Sequence, residues 1–365
     1  MRGALTALLL LVGLAGCSDE PPPSHPPCGQ PLEICPLIGS GAQDFNGDGL
    51  APEETALNLP SVARVTPDGG VCVMDFNNYR LRCLRDGVME TIAGSGVHAY
   101  ATVDVDALSS PLENPIDFGY LPDGRVVFVS LHDPRVLRIE EDGLLVAIAG
   151  TGEVGDSGDG GPATEALFDE LAGLVVGQDG TIYVSDDQAH RIRKITPDGI
   201  VDTVAGTGEK GAAGDGGPAR EAQLYHPMGL ALDAADNLYV ADAYNHRIRR
   251  VDAQTGVIDT IAGRGEQDED GDGGPAVDAA FAWPNGVAIG DDGRVYVADT
   301  FNHRIRRIGL DGIVETIAGS TKGYSGDDGP ALDAQLRGPA YLEVTEDRLI
   351  VADQQNQVVR VLYLK

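Results

Sequence analysis

Short runs rich in Val, Ile and Tyr alternate along the chain with clusters of Gly, Asp, Asn and Pro. Gly229 to Asp233, Asn237 to Asp242, Arg247 to Asp252 and Val257 to Ala262 are four such runs in succession. Their length, β-branched content and flanking turn residues predict four strands. Pro-Asp-Gly and Asp-Asp-Gly between first and second runs are turn chemistry, with Asp accepting local backbone hydrogen bonds. The group recurs. Each copy ends on a Gly after a small apolar phrase, at Gly39, Gly94, Gly150, Gly206, Gly263 and Gly319, with spacings of 55, 56, 56, 57 and 56. Four antiparallel strands in a repeating unit of this size predict a propeller blade. The sixth unit stops after three strands (341–345, 348–353 and 358–364), and Glu33 to Gly39 matches the missing fourth. The expected fold is all-β: a six-bladed β-propeller over 33–365, closed by the N-terminal strand completing the last blade and hiding the edges of a linear stack.

The link between second and third strands repeats most clearly. Asp242-Ala-Tyr-Asn245-His246-Arg247-Ile248-Arg249 is matched by 299–306, by 186–193 with Ala189 in place of Asn, and more loosely by 75–81. This resembles the NHL repeat, with Ile for Leu and an Arg between His and Ile; the units at 130–135 and 353–358 depart furthest. The resemblance implies a six-bladed propeller, used in most members to bind partners and in a few as an enzyme. Residues recurring from blade to blade are read as structural. Asp75 and Arg80, Asp186 and Arg191, Asp242 and Arg247, and Asp299 and Arg304 are expected to face each other across hairpins. His190, His246 and His303 occupy equivalent positions on different blades and are not expected to share a metal. A lyase that releases amidated peptides also resembles this family and holds zinc through His just after the Pro entering each first strand. Those positions here are Ser61, Ile116, Ala172, Met228, Asn285 and Ala340, which excludes that chemistry.

Composition sharpens this picture. Asp and Glu number 57 against 26 Lys and Arg, a net charge of −31. Nucleic acid needs a basic footprint, so it is not an expected partner. Segments joining successive blades (42–56, 95–112, 151–170, 207–224, 264–280, 320–337) hold 24 acidic and five basic residues, predicting one strongly acidic face. Met1-Arg2-Gly3 precedes an apolar run from Ala4 to Leu14, the length of a signal-peptide core and too short to span a bilayer. Leu14-Ala15-Gly16-Cys17 resembles the lipobox of bacterial lipoproteins. That resemblance implies a signal peptide over 1–16, lipidation of Cys17, and anchoring in the outer membrane, the lipid being the sole membrane contact. Residues 17–32 are read as the lipidated Cys and a Pro-rich tether, in which Ser18 to Pro27 favours extended polyproline II, roughly 30 Å long at ~3.1 Å per residue. Four further cysteines allow three pairings. Cys72 faces Cys83 if the hairpin register holds, leaving Cys28 and Cys35, which flank the closing strand.

Two loops carry alternate carboxylates and amides at the spacing hard cations use: Asp44, Asn46, Asp48 and Asp268, Asp270, Asp272. Neither has the acidic twelfth residue of an EF-hand, and a Gly turn with local Asp bonds accounts for the same pattern. Ca²⁺ is the one cofactor these loops suggest; none other is expected. Non-repeated polar residues on the innermost strands, Arg64, Asp117, Asn285, Tyr341 and Glu343, are the candidates for a site in the central funnel. The favoured reading is a monomeric, lipid-anchored, non-catalytic binding or scaffolding propeller for a protein, peptide or glycan partner. The alternative is an envelope or extracellular lyase or hydrolase working in the funnel.

Overall fold

The computed structural model describes residues 29–365. The expected signal peptide, Cys17, most of the expected tether and Cys28 lie outside the described residues. Six antiparallel sheets follow one another around a central channel. Blade one is Pro60–Val65, Val71–Asp75, Arg80–Arg85 and Val88–Ala93, from channel to rim. Blade six is Pro339–Val344, Arg348–Asp353, Val358–Tyr363 and, outermost, Glu33–Ile38. The N-terminal strand therefore closes the ring as expected, with Ile34 opposite Leu362 and Cys35 opposite Val361. The outer strand of every blade is covered in turn by the incoming connecting loop: Gly217–Pro218 pairs with Val257 and Ile258, and single bridges such as Pro162 to Ile200 do the same elsewhere. Covering edge strands removes open hydrogen-bonding groups that would otherwise template association.

The Gly ending each repeat is required by a close approach. Gly206 has φ +95°, and a Cβ there would lie 2.3 Å from the His190 carbonyl oxygen. Its counterparts at Gly39, Gly94, Gly150, Gly263 and Gly319 meet the preceding third strand in the same way.

Asp and Arg do hold five of the six blades, but not in the predicted pairs. The register is as expected, with Asp75 opposite Arg80 and Asp242 opposite Arg247. The ion pairs instead join each Asp to the Arg two residues further on. Arg82 Nη1 lies 3.4 Å from Asp75 Oδ2, Arg249 Nη1 3.3 Å from Asp242, Arg306 Nη1 3.5 Å from Asp299, and Arg360 Nη1 3.5 Å from Asp353. These arginines are fully buried. Each also reaches a loop carboxylate, Asp48, Asp215, Asp272 or Asp327. Arg193 reaches Asp159 likewise. Arg80 and Arg247 turn to backbone carbonyls. Strand alternation puts both arginines on the face of the Asp, so reach and burial decide between them. The non-paired neighbour provides a reach matched to a long side chain.

The short 3-10 turn after the second strand ends on a left-handed residue, Tyr79, His246, His303 or Gln357. These side chains fasten neighbouring blades. His246 Nδ1 accepts from the Trp283 N–H at 3.3 Å, His303 Nδ1 from Gly338 at 3.1 Å, and Gln357 Oε1 from Leu59 at 2.6 Å across the ring closure. The repeated His is thus structural, as expected. Cys72 and Cys83 occupy facing positions and form a disulfide. Cys35 is buried in the closing strand.

Candidate functional site

The innermost strands bring four of the five funnel candidates together. Arg64 Nη2 lies 2.7 Å from Asp117 Oδ1 and 3.3 Å from the Leu174 carbonyl. Asp117 also accepts from the N–H groups of Phe118 and Leu174. Glu343 accepts from the Val65 N–H at 2.8 Å. Tyr341, 5% exposed, donates its hydroxyl to the Ala172 carbonyl at 2.6 Å, on the opposite side of the ring. Asn285, on the innermost strand Pro284–Ile289, does not join them through its side chain.

Blades three to five make room for this crossing. Their third innermost positions are Gly173, Gly229 and Gly286. A Cβ on Gly229 would meet the Asn285 carbonyl at 2.6 Å and the Tyr341 ring at 3.4 Å. The channel is therefore sealed at mid-depth by side chains bonded to one another and to backbone. Burial pushes the Glu343 carboxyl up to about 7 despite Arg64 nearby. Burial also raises Asp117, against the opposing pull of Arg64.

Above the seal, on the face carrying the connecting loops, lies an arrangement that the candidate residues did not anticipate. Tyr225, His226 and Trp283 sit just before the Pro opening an innermost strand; Tyr244 and Phe301 sit in the 3-10 turns beside them. Their rings form a continuous arc. Centroids are 5.0 Å apart for Tyr225 and His226, 4.2 Å for His226 and Tyr244, 4.0 Å for Tyr244 and Trp283, and 5.0 Å for Trp283 and Phe301. Blades two and three complete the mouth with polar groups. Glu113 Oε1 lies 2.8 Å from His98 Nε2 and 3.0 Å from His132 Nδ1. Asp187 Oδ2 lies 2.9 Å from His226 Nδ1, and burial lifts its carboxyl to about 6. The signal was present in the sequence: the residue before the Pro that opens an innermost strand changes from blade to blade (Leu59, Asn114, His226, Trp283, Gly338).

The cation-loop residues are otherwise engaged. Asp48 and Asp272 accept from Arg82 and Arg306, and Asp270 from Arg264. Asn46 bonds backbone at Glu54 and Ala56; Asp44 and Asp268 each accept from the following N–H. Among the described residues no group of three or more His, Cys, Asp or Glu is arranged to hold a metal ion.

These features define a class: a six-bladed propeller of repeats similar to the NHL repeat, with a plugged channel and one elaborated face. Comparison with known proteins agrees. The Teneurin NHL domain family matches residues 205–268 and 264–323. NHL repeat-containing protein 2 of Bos taurus is 35% identical over 294 residues, covering 71% of this chain and 40% of that protein. The chain thus spans well under half of such relatives. Among solved structures, an auxiliary nutrient binding protein from Bacteroides thetaiotaomicron superposes with TM-score 0.63 at 13% identity, covering 90% of this chain and 75% of that one. Virginiamycin B lyase from Staphylococcus aureus superposes with TM-score 0.53 at 15% identity, covering 91% and 99%. At these identities the structural likenesses establish the fold alone.

Proposed function

We propose that this chain is a lipid-anchored, extracytoplasmic binding propeller that takes a protein, peptide or glycan partner on its loop face. One observation carries the reading. Tyr341, Arg64 and Asp117 are occupied with one another and with backbone, while aromatic rings line the mouth above them. Exposed aromatic surface rimmed by polar groups is a mark of recognition sites. The nutrient-binding fold neighbour is compatible with it. Cys17 would supply the anchor and the Pro-rich segment the spacer. The test is retention of an envelope component by immobilised Cys17→Ser protein, with a photo-crosslinker at Phe301 and, as control, at Gln178 in the turn after an innermost strand. Crosslinking at Gln178 alone would refute the assignment of the face.

A second reading, a lyase or hydrolase in the funnel, draws on Glu343. A carboxyl pushed up to about 7 is in the range a general acid or base uses. Turnover abolished by Glu343→Gln with partner binding intact would favour it.

A further inference from the structure

The mouth contains an acceptor without a donor. Asp187 is 6% exposed; one carboxylate oxygen meets His226, and the other, Oδ1, has no hydrogen-bond partner within the protein. Oδ1 is closed off from solvent as it stands, and a buried oxygen left unpaired is costly, so a donor that parts the surrounding side chains gains by reaching it. Asp187 lies between the rim and the channel. Its charge is felt at Tyr244 on the rim and at Tyr341 in the channel. Glu170 and Asp169 add negative charge beside it, and Lys210 lies 5.6 Å from the Tyr225 ring centroid at the edge of the arc. An unpaired carboxylate oxygen, an aromatic wall and an acidic surround suit a positively charged donor, which gains from charge, hydrogen bond and ring face together. A neutral sugar would gain from the rings and one hydroxyl contact but nothing from the surrounding charge.

We propose that the mouth binds the basic side chain of a peptide or protein partner, with Asp187 receiving the cation and the His226–Tyr244–Trp283 wall enclosing it. This rests on the loop-face reading above and deepens it to a partner class. Trp283 is the single tryptophan of the chain, so its fluorescence reports on this site alone. Penta-lysine is titrated against the full chain carrying Cys17→Ser, beside its fully acetylated form and a neutral cello-oligosaccharide. Penta-lysine should change Trp283 emission saturably, and acetylation should weaken binding about tenfold or more. Asp187→Asn should weaken penta-lysine by a similar factor. Glu54→Gln, a control on an exposed connecting-loop acid, should leave it within about twofold. A melting curve for each variant separates lost binding from lost folding.

Equal binding of the acetylated peptide would overturn the proposal. So would an Asp187→Asn protein that folds and binds unchanged, since a water would then serve the orphan oxygen. A Trp283 response to the oligosaccharide alone would overturn the cationic class while keeping the loop face as a binding surface.

Discussion

Ala189 replaces an Asn that four other blades retain, and the consequence is measurable. Asn78, Asn245, Asn302 and Asn356 donate to the Oδ2 of Asp75, Asp242, Asp299 and Asp353 at 2.8–2.9 Å. In blade three that donor is missing. Asp186 Oδ2 has no hydrogen-bond partner, and Arg193 stands 3.9 Å away. Burial lifts the four Asn-served carboxyls to about 6 and Asp186 to about 8. Ala189→Asn should restore the donor. A hydrogen bond to a charged acceptor contributes about 1.5–3 kcal/mol. A fall of about two pKa units corresponds to ~2.7 kcal/mol, a consistent upper figure.

The sign of the pH effect follows from the protonation of each state. With its folded pKa raised, Asp186 holds its proton more tightly in the native state, so its contribution to stability falls as pH rises from about 4 through 8. The variant recovers part of that loss between about 6 and 8. The gain should be small at pH 5.5 and full above pH 8. Unfolding entropy is about 0.7 kcal/mol per K for a ring of ~330 residues, so Tm should rise by about 3 °C at high pH. Differential scanning calorimetry at both pH values checks this. A gain independent of pH, or a loss at pH 8.5, would refute the reasoning.

Other consequences follow from the same geometry. Arg249→Met strands the buried Asp242 and should cost about 3–5 kcal/mol, whereas Arg247→Met, which loses carbonyl contacts, should cost about 1 kcal/mol; equal drops in Tm would return the ion pair to the facing register. Reducing the Cys72–Cys83 disulfide, or replacing both residues by Ser, should lower stability by about 2–3 kcal/mol, read from thermal unfolding with and without reductant. Glu343, raised to about 7, should make the native ring lose stability as pH climbs from about 5 to 8; Glu343→Gln should flatten that part of the Tm profile, and an unchanged slope would count against a buried ionisable group there. Because Asp48 and Asp272 are committed to arginines, dialysis against EDTA followed by Ca²⁺ should leave Tm unchanged within about 1 °C.

The blade count, the strand order, the closing role of Glu33–Ile38 and the Cys72–Cys83 pairing were all legible in the sequence. They depend on local turn chemistry, a fixed period and hairpin register, each of which acts over a few residues. The exchange of ion-pair partner from Arg247 to Arg249 was not legible, because register says which backbones face each other and not how far a guanidinium reaches through a buried layer. The Tyr341 bond to Ala172 joins residues half a ring apart, and only closure of six blades brings them within reach. The aromatic arc depends on closure too. Tyr225, Tyr244, Trp283 and Phe301 are scattered over nearly eighty residues, each an ordinary loop residue in its own repeat. Sequence alone determined the ring, since its period is written into every unit. Tertiary structure decided what fills the channel and what lines its mouth, since those depend on side chains from different blades converging on one axis.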